Sequence, residues 1–188
     1  MARVPYVERE ELDAEGQEIY DRIRLDRNAS QVAFQFRALL NSPQAAGYLT
    51  SLGAQLRYKN AMPEDLLELA IILVAREWNS SIEWQGHSVL AARAGISPAS
   101  IEAIRTKMAP AGLSEREQVI ARFVHQLLRD KEVSDDVFAA AHTMLGTQGV
   151  VDLTITCGYF TTLALTHIAL KPDKTPGHVS PGHVSTLD

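Results

Sequence analysis

Four side chains in the middle of the sequence have the types and spacing that acid–base chemistry requires: Glu68, Ser80, Glu83 and His87. Glu83 and His87 are four positions apart, so on one helix they share a face, one turn from each other. Glu68 belongs to the preceding segment, and the polar break at Asn79 and Ser80 predicts a helical hairpin that turns Glu68 towards His87. A buried carboxylate resists ionisation unless it finds a partner, and an imidazole is a natural one. Two carboxylates and a histidine around one pocket supply a general acid and a general base near neutral pH.

The same spacings also have structural interpretations, which the residues alone leave open. Ser80 and Glu83 form an S-x-x-E pattern, so Glu83 is also explained as the reciprocal partner in a capping box. A surface pair between Glu83 and the histidine one turn later would contribute only roughly 0.2–0.5 kcal/mol. Glu68 has alternatives too, because it could cap a neighbouring helix or pair with Arg76 or Arg93.

Helices are expected to position these residues, and the expected fold class is a compact, all-α domain of many helices. The periodicity of apolar residues and the start and stop signals predict helices over 8–24, 31–41, 45–58, 63–78, 80–94, 97–107, 114–129, 134–144 and 150–170. Residues 1–7 are expected to form an extended arm. The segment 150–170 is rich in β-branched residues, which favour strands. Its length and its helical neighbours favour a buried helix instead.

The composition excludes several classes of protein. The 188 residues carry 18 Lys and Arg against 23 Asp and Glu, a net charge of −5, which disfavours nucleic acid and anionic membranes as partners. No stretch approaches the roughly 20 apolar residues of a membrane span. The N-terminus turns acidic at once, unlike a secretory signal. We therefore expect a cytoplasmic protein.

Other catalytic motifs are missing from the sequence. A single cysteine, Cys157, excludes a two-cysteine thiol–disulfide enzyme and is expected to be a small buried side chain. No H-x-x-x-H or H-E-x-x-H spacing exists, and glycine-rich phosphate loops and G-x-S-x-G are absent as well. We expect neither a metal nor a cofactor. The Pro/Gly/His-rich segment 172–188 repeats PGHVS and is expected to be a disordered tail.

The run ELAIILVAREWNSSIEWQGH, residues 68–87, is similar to the signature of the carboxymuconolactone decarboxylase and alkyl hydroperoxidase D-like superfamily. AARAGISPASIEAI at 91–104 and DLTITCGYFTTLA at 152–164 also match its usual pattern, and the similarity covers roughly residues 35–170. The resemblance implies a helical domain at 31–171, preceded by an arm and helix at 1–30. It also implies assembly as a homotrimer or homohexamer.

The peroxidase-type branch of this superfamily carries C-x-x-C-x-x-x-H, with a glutamate one helix earlier that completes a proton relay. Carried over by position, the cysteines fall on Ser80 and Glu83, the histidine on His87 and the glutamate on Glu68. A hydroxyl and a carboxylate cannot replace a peroxidatic thiolate and its resolving partner. The chain therefore resembles the decarboxylase-like branch, where S-x-x-E-W-x-x-H stands in place of the cysteine motif. The resemblance implies a catalytic site of Glu68, Glu83 and His87.

Decarboxylation next to an unsaturated lactone leaves negative charge on an enolate-like system, which an enzyme stabilises before it protonates a carbon. In this interpretation His87 is the general acid, and Glu68 sets its tautomer and charge. Glu83 is a second acid–base group or orients the substrate.

Three further residues are candidates for substrate binding: Arg76, Ser80 and Trp84. Arg76 could bind a substrate carboxylate, and Trp84 could form a wall of the pocket. An ordinary core position explains Trp84 equally well, and a structural ion pair explains Arg76.

The expected function is therefore a cofactor-free acid–base enzyme that decarboxylates, isomerises or otherwise cleaves a small carboxylated or carbonyl compound. A non-catalytic oligomeric protein that binds a ligand or serves as a scaffold is the alternative from another class. A peroxidase-related antioxidant protein is a third. An active site should gather Glu68, Glu83 and His87 around a cavity, whereas a scaffold would leave Glu83 as a cap and His87 in solvent.

Overall fold

The computed structural model describes residues 2–172, and in that range the ordered elements are all helical. The α-helices are α1 (Ala14–Asp26), α2 (Phe34–Leu39), α3 (Pro43–Tyr58), α4 (Glu64–Glu77), α5 (Ser81–Arg93), α6 (Pro98–Arg105), α7 (Glu115–His125) and α8 (Asp135–Leu170). The expected all-α fold class is confirmed. The predicted disordered tail at 172–188 lies, from residue 173 onwards, outside the described residues.

The described chain divides into two units, of which the first comprises residues 2–60 and 166–172. Here α1 packs on α3, and the side chain of Asp13 caps α1 by accepting a hydrogen bond of 2.9 Å from the backbone N–H of Gly16. A Cβ on Gly47 would lie 2.9 Å from the Arg22 guanidinium and 3.3 Å from Ile19. Glycine at this position therefore allows α1 and α3 to approach each other closely.

The second unit, residues 61–165, is built around α4. Ten consecutive residues of α4, from Leu66 to Ala75, are buried, and α5, α6 and α7 pack against this helix. Because α4 is apolar nearly all round, it is stable only when neighbours cover every face. Glu68 is the one ionisable side chain in the buried run, so α4 places a single carboxylate at the centre of this unit.

The sequence correctly predicts the start of α7. Ser114 and Glu117 form the expected capping box at the start of α7. α7 continues directly into a π-helical turn at Gln126–Asp130, which ends at Lys131 in the left-handed region with φ 63°. Wider π-helical turns of this kind occur frequently at functional sites.

α8 combines the last two predicted helices, and the helical interpretation of residues 150–170 is confirmed. Gly146 interrupts it with non-helical φ 70° and ψ 178°, at the position where the sequence places a helix end. The helix is long and apolar enough to cross a membrane by length and composition, so the expectation that no segment approaches this limit is wrong. This is weak evidence for a span, because the core helix of a soluble protein passes the same test.

Candidate functional site

The turn between α4 and α5 determines how the chemically competent residues meet. The backbone N–H of Ser80 donates to the carbonyl of Ala75 at 2.8 Å, and the N–H of Asn79 donates to the carbonyl of Arg76 at 3.3 Å. Asn79 adopts φ 49°, in the left-handed region. These bonds form a Schellman motif with asparagine in the position usually held by glycine. Since the turn is this tight, α5 packs back against α4.

Glu68 and His87 form a buried pair across this hairpin. Glu68 Oε2 lies 2.6 Å from His87 Nδ1, and the two residues are 5% and 6% exposed. A contact this short between a carboxylate and an imidazole is typical of a charge-assisted hydrogen bond. When Nδ1 donates its hydrogen to Glu68, Nε2 carries a lone pair in the neutral ring and a second hydrogen in the charged ring. The predicted pairing across the hairpin is present, and Glu68 does not pair with Arg76 or Arg93.

Glu83 lies on the other side of the imidazole ring. Its Oε2 atom is 3.6 Å from His87 Nε2, and the residue is 7% exposed. That distance is longer than a hydrogen bond, so these two atoms face each other without being hydrogen-bonded. Phe160, from α8, packs edge-on against the same ring, with centroids 5.1 Å apart and planes at 83°. We name Glu68, Glu83 and His87 the acid–base cluster.

The capping box expected at Ser80 does not form. Ser80 is the N-cap of α5, but its side chain makes no capping hydrogen bond to the first turn. The reason is that Ser80 also ends α4, and this holds its ψ at 93°, whereas Ser114 has ψ 160° where a capping box does form. Glu83 is therefore not explained as a capping residue.

Trp84 is fully buried, as the plain core interpretation requires. Its indole N–H nevertheless finds no hydrogen-bond partner among residues 2–172, and neither does the buried hydroxyl of Ser88, one turn later on α5. Buried donors are normally satisfied by protein or ordered water. Two neighbouring positions on one face of α5 thus carry unused hydrogen-bonding capacity.

Arg76 lies apart from the acid–base cluster. Its Nε donates to the Arg105 carbonyl at 2.7 Å, and its Nη1 bonds to the Asn79 side chain. It lines a small cleft, whose charged and titratable lining residues are Arg76, Glu77, Lys107, His125 and Arg129. We name these five residues the cationic cleft. The sequence does not anticipate it, because three separate segments contribute to it.

Cys157 is completely buried in α8. Burial raises the pKa of its thiol to about 12, so the nucleophilic thiolate is not formed near neutral pH. The expectation of a small buried side chain is confirmed. Within the described range no group of three or more His, Cys, Asp or Glu side chains has a geometry suited to hold a metal ion.

Comparison with known proteins places the fold. No protein-family profile matches the chain, and no curated protein matches its sequence. One similar solved structure is that of an alkylhydroperoxidase AhpD core, an uncharacterised peroxidase-related protein from Ralstonia eutropha JMP134. The two chains superpose with a TM-score of 0.74 and 14% identity, over 93% of each chain. Over residues 2–172 the chain therefore has the all-helical AhpD-like fold.

Phe160 is the contact that reasoning from the residues missed. It lies 73 positions beyond His87, and nothing in the local spacing connects the two. The available signal was the segment 152–164, which contains Phe160 and which the sequence analysis singled out by resemblance. An aromatic edge beside an imidazole restricts the rotation of the ring, so Phe160 holds His87 in the orientation that the Glu68 bond selects.

Proposed function

We propose that this protein is a cofactor-free acid–base enzyme that acts on a small carboxylated or carbonyl compound, with His87 as the group that moves the proton. The observation that carries the proposal is the buried 2.6 Å bond between Glu68 and His87 Nδ1, with Glu83 near the opposite ring nitrogen. A histidine oriented by one carboxylate and facing a second is the arrangement that general acid–base catalysis uses.

Each residue has a distinct role in this proposal. Glu68 accepts from Nδ1 and so fixes which nitrogen of His87 is available to the substrate. Nε2 then takes a proton as a base, or delivers one as an acid when the ring is charged. Glu83 flanks Nε2 and can receive the proton or orient the substrate. Decarboxylation and isomerisation both pass through an enolate that must be protonated at carbon, and one acid–base set serves either reaction.

The unused donors on α5 support a substrate with an oxygen to bind. The indole N–H of Trp84 and the hydroxyl of Ser88 are buried and unpaired among the described residues. Donors aimed at a developing oxyanion stabilise an enolate more strongly than the ground state. We assign Trp84 to substrate binding on this ground, whereas Arg76 is engaged in the separate cleft.

The test is proton exchange at carbon, which needs no knowledge of the natural product. Small 2-oxo acids, 3-oxo acids and unsaturated lactone acids are incubated in D₂O with the protein, and exchange and decarboxylation are followed by proton NMR. Turnover should fall at least about 10²-fold in His87→Gln and in Glu68→Gln, since general acid–base groups typically contribute 10²–10⁴-fold. Arg93→Gln is the control, because Arg93 is exposed and belongs to neither cluster. Turnover that survives both changes would contradict the proposal.

A scaffold or ligand-binding protein is the second candidate, and the burial of the cluster favours it. All three residues are at most 7% exposed in the single chain, and the cleft that Arg76 lines lies elsewhere. Absence of exchange with every compound, with the protein folded, would support this candidate. A dithiol peroxidase, the third, lacks the second cysteine, and Cys157 is fully buried.

A further inference from the structure

The cationic cleft is a second concentration of polar side chains, separate from the acid–base cluster. Because an α-helix rises 1.5 Å per residue, Arg76 lies about 12 Å along the axis of α4 from Glu68. The lining comes from the end of α4, from Lys107 just after α6, and from α7 and its π-helical turn. The cleft therefore has its own walls and its own charges.

The balance of charge in the cleft is positive. Three permanent cations, Arg76, Lys107 and Arg129, line the cleft with one carboxylate, Glu77. The carboxylate of Asp130 acts on Arg129 from outside the lining, so at least one positive charge is left in excess. Burial, reinforced by the charge of Arg129, lowers the pKa of His125, so this ring is neutral near pH 7. The protein as a whole carries a net charge of −5. The cleft is thus a local excess of positive charge on an acidic molecule.

Glu77 is held in the cleft mainly by Arg129. Arg129 donates to it through Nε at 2.8 Å and through Nη2, and His125 Nε2 stands 3.7 Å away. Burial opposes the charge of Glu77, but the Arg129 hydrogen bonds together with the charges of Arg129, His125 and Lys107 outweigh it, and the pKa of Glu77 is lowered. Glu77 is therefore a fixed anion that anchors Arg129.

Several donors in the cleft have no acceptor among residues 2–172. Nη1 of Arg129 and Nη2 of Arg76 make no hydrogen bond there, and Nζ of Lys107 makes neither a hydrogen bond nor an ion pair. A guanidinium presents a planar fork that matches the oxygens of a carboxylate or a phosphate. We propose that the cationic cleft binds a small oxyanion, the phosphate or carboxylate group of a ligand, between Arg76, Lys107 and Arg129.

The test follows the His125 ring resonances by NMR while sodium phosphate or sodium acetate is added to the full chain, with ionic strength held constant by NaCl. His125 is a suitable probe because it lines the cleft. A bound anion should shift its resonances saturably, and it should raise the pKa of the ring by offsetting the charge of Arg129. Asp130 and Glu77 are the other charged groups that act on this ring.

Lys107→Gln should weaken binding about tenfold, because it removes one of the three cations that hold the anion. The substitution leaves the fold intact, since Lys107 is exposed and its side chain makes no hydrogen bond among the described residues, while its backbone bond to the Ile104 carbonyl is kept. Arg93→Gln removes the same charge away from the cleft and should leave the affinity unchanged within about twofold. Saturation by phosphate only, or by acetate only, would support the proposal and identify the group bound. No saturation by either anion, or equal weakening in the two variants, would overturn it.

Discussion

Removing either member of the Glu68–His87 pair should destabilise the protein strongly, and removing both should cost much less than the sum. The two side chains are 6% and 8% exposed and meet at 2.6 Å. Breaking a buried ion pair from one side costs about 3–5 kcal/mol, because the remaining charge stays buried without compensation. Glutamine retains some hydrogen bonding, so we expect about 2–4 kcal/mol for Glu68→Gln and for His87→Gln.

The quantity that isolates the contact is the coupling energy of the double-mutant cycle. We expect a coupling of about 1.5–3 kcal/mol, the range for a hydrogen bond to a charged group. Urea unfolding followed by circular dichroism gives the four free energies, provided that the slope m is unchanged among the variants. All four proteins are compared at one concentration, because self-association would otherwise shift their apparent stability.

A matched control is available in Glu117, another buried carboxylate. It accepts hydrogen bonds from Ser100 Oγ at 3.0 Å and from the backbone of Ser114 at 2.8 Å, and it shares no partner with Glu68. Glu68→Gln and Glu117→Gln should therefore be additive within about 0.5 kcal/mol. If Glu68→Gln and His87→Gln were equally additive, the pair would contribute nothing as a unit, and the proposed orientation of His87 would have to be abandoned.

Three further predictions concern redox chemistry, pH and assembly. The protein should not reduce hydroperoxides through a dithiol cycle, and turnover with a dithiol reductant that disappears in Cys157→Ala would contradict this. Burial lowers the pKa of His167 to about 4, so the unfolded chain binds its proton first as the pH falls. Stability should decline from about pH 6.5 to 4, and His167→Gln should flatten this decline in urea titrations. The protein should sediment as a trimer or hexamer at micromolar concentration, and Ile155→Lys, on the exposed apolar side of α8, should dissociate it. A wild-type monomer at that concentration would count against the last prediction.

Local signals were sufficient for the hairpin that carries the acid–base cluster. The apolar run of α4, interrupted only by Glu68, is long enough to indicate a buried helix, and the polar break after it indicates that the chain turns back. Glu68 then meets α5, because α5 starts from the short link at which α4 ends and packs back along it. The contact with His87 follows from geometry that a single sequence encodes.

The capping box at Ser80 could not be judged from its pattern. The letters S-x-x-E are the same at Ser80 and at Ser114, yet only Ser114 caps its helix. The difference is that the backbone N–H of Ser80 is already bonded to Ala75. A serine that closes one helix is not free to adopt the backbone angles that open the next. Spacing between side chains carries no information about that competition.

The cationic cleft was also beyond a reading along the chain. Arg76, Lys107 and Arg129 are spread over 53 positions and lie in three elements. Their meeting depends on how α6 and α7 pack against α4, which is set by side chains other than their own. A single arginine in the sequence suggests a structural ion pair as readily as a ligand site, and only the packing distinguishes them.

The Schellman turn at Asn79 makes the number of residues between the two halves of the acid–base cluster an invariant of the site. Glu68 and His87 are 19 positions apart. One residue added to the link would rotate everything on α5 by about 100° and move it 1.5 Å along the axis, which would carry the imidazole away from its carboxylate. The site therefore depends on the length of the link as well as on the two side chains. The same site can therefore be sought in chains of low overall sequence identity. The pattern to look for is a glutamate and a histidine 19 positions apart, on either side of a tight turn between two helices.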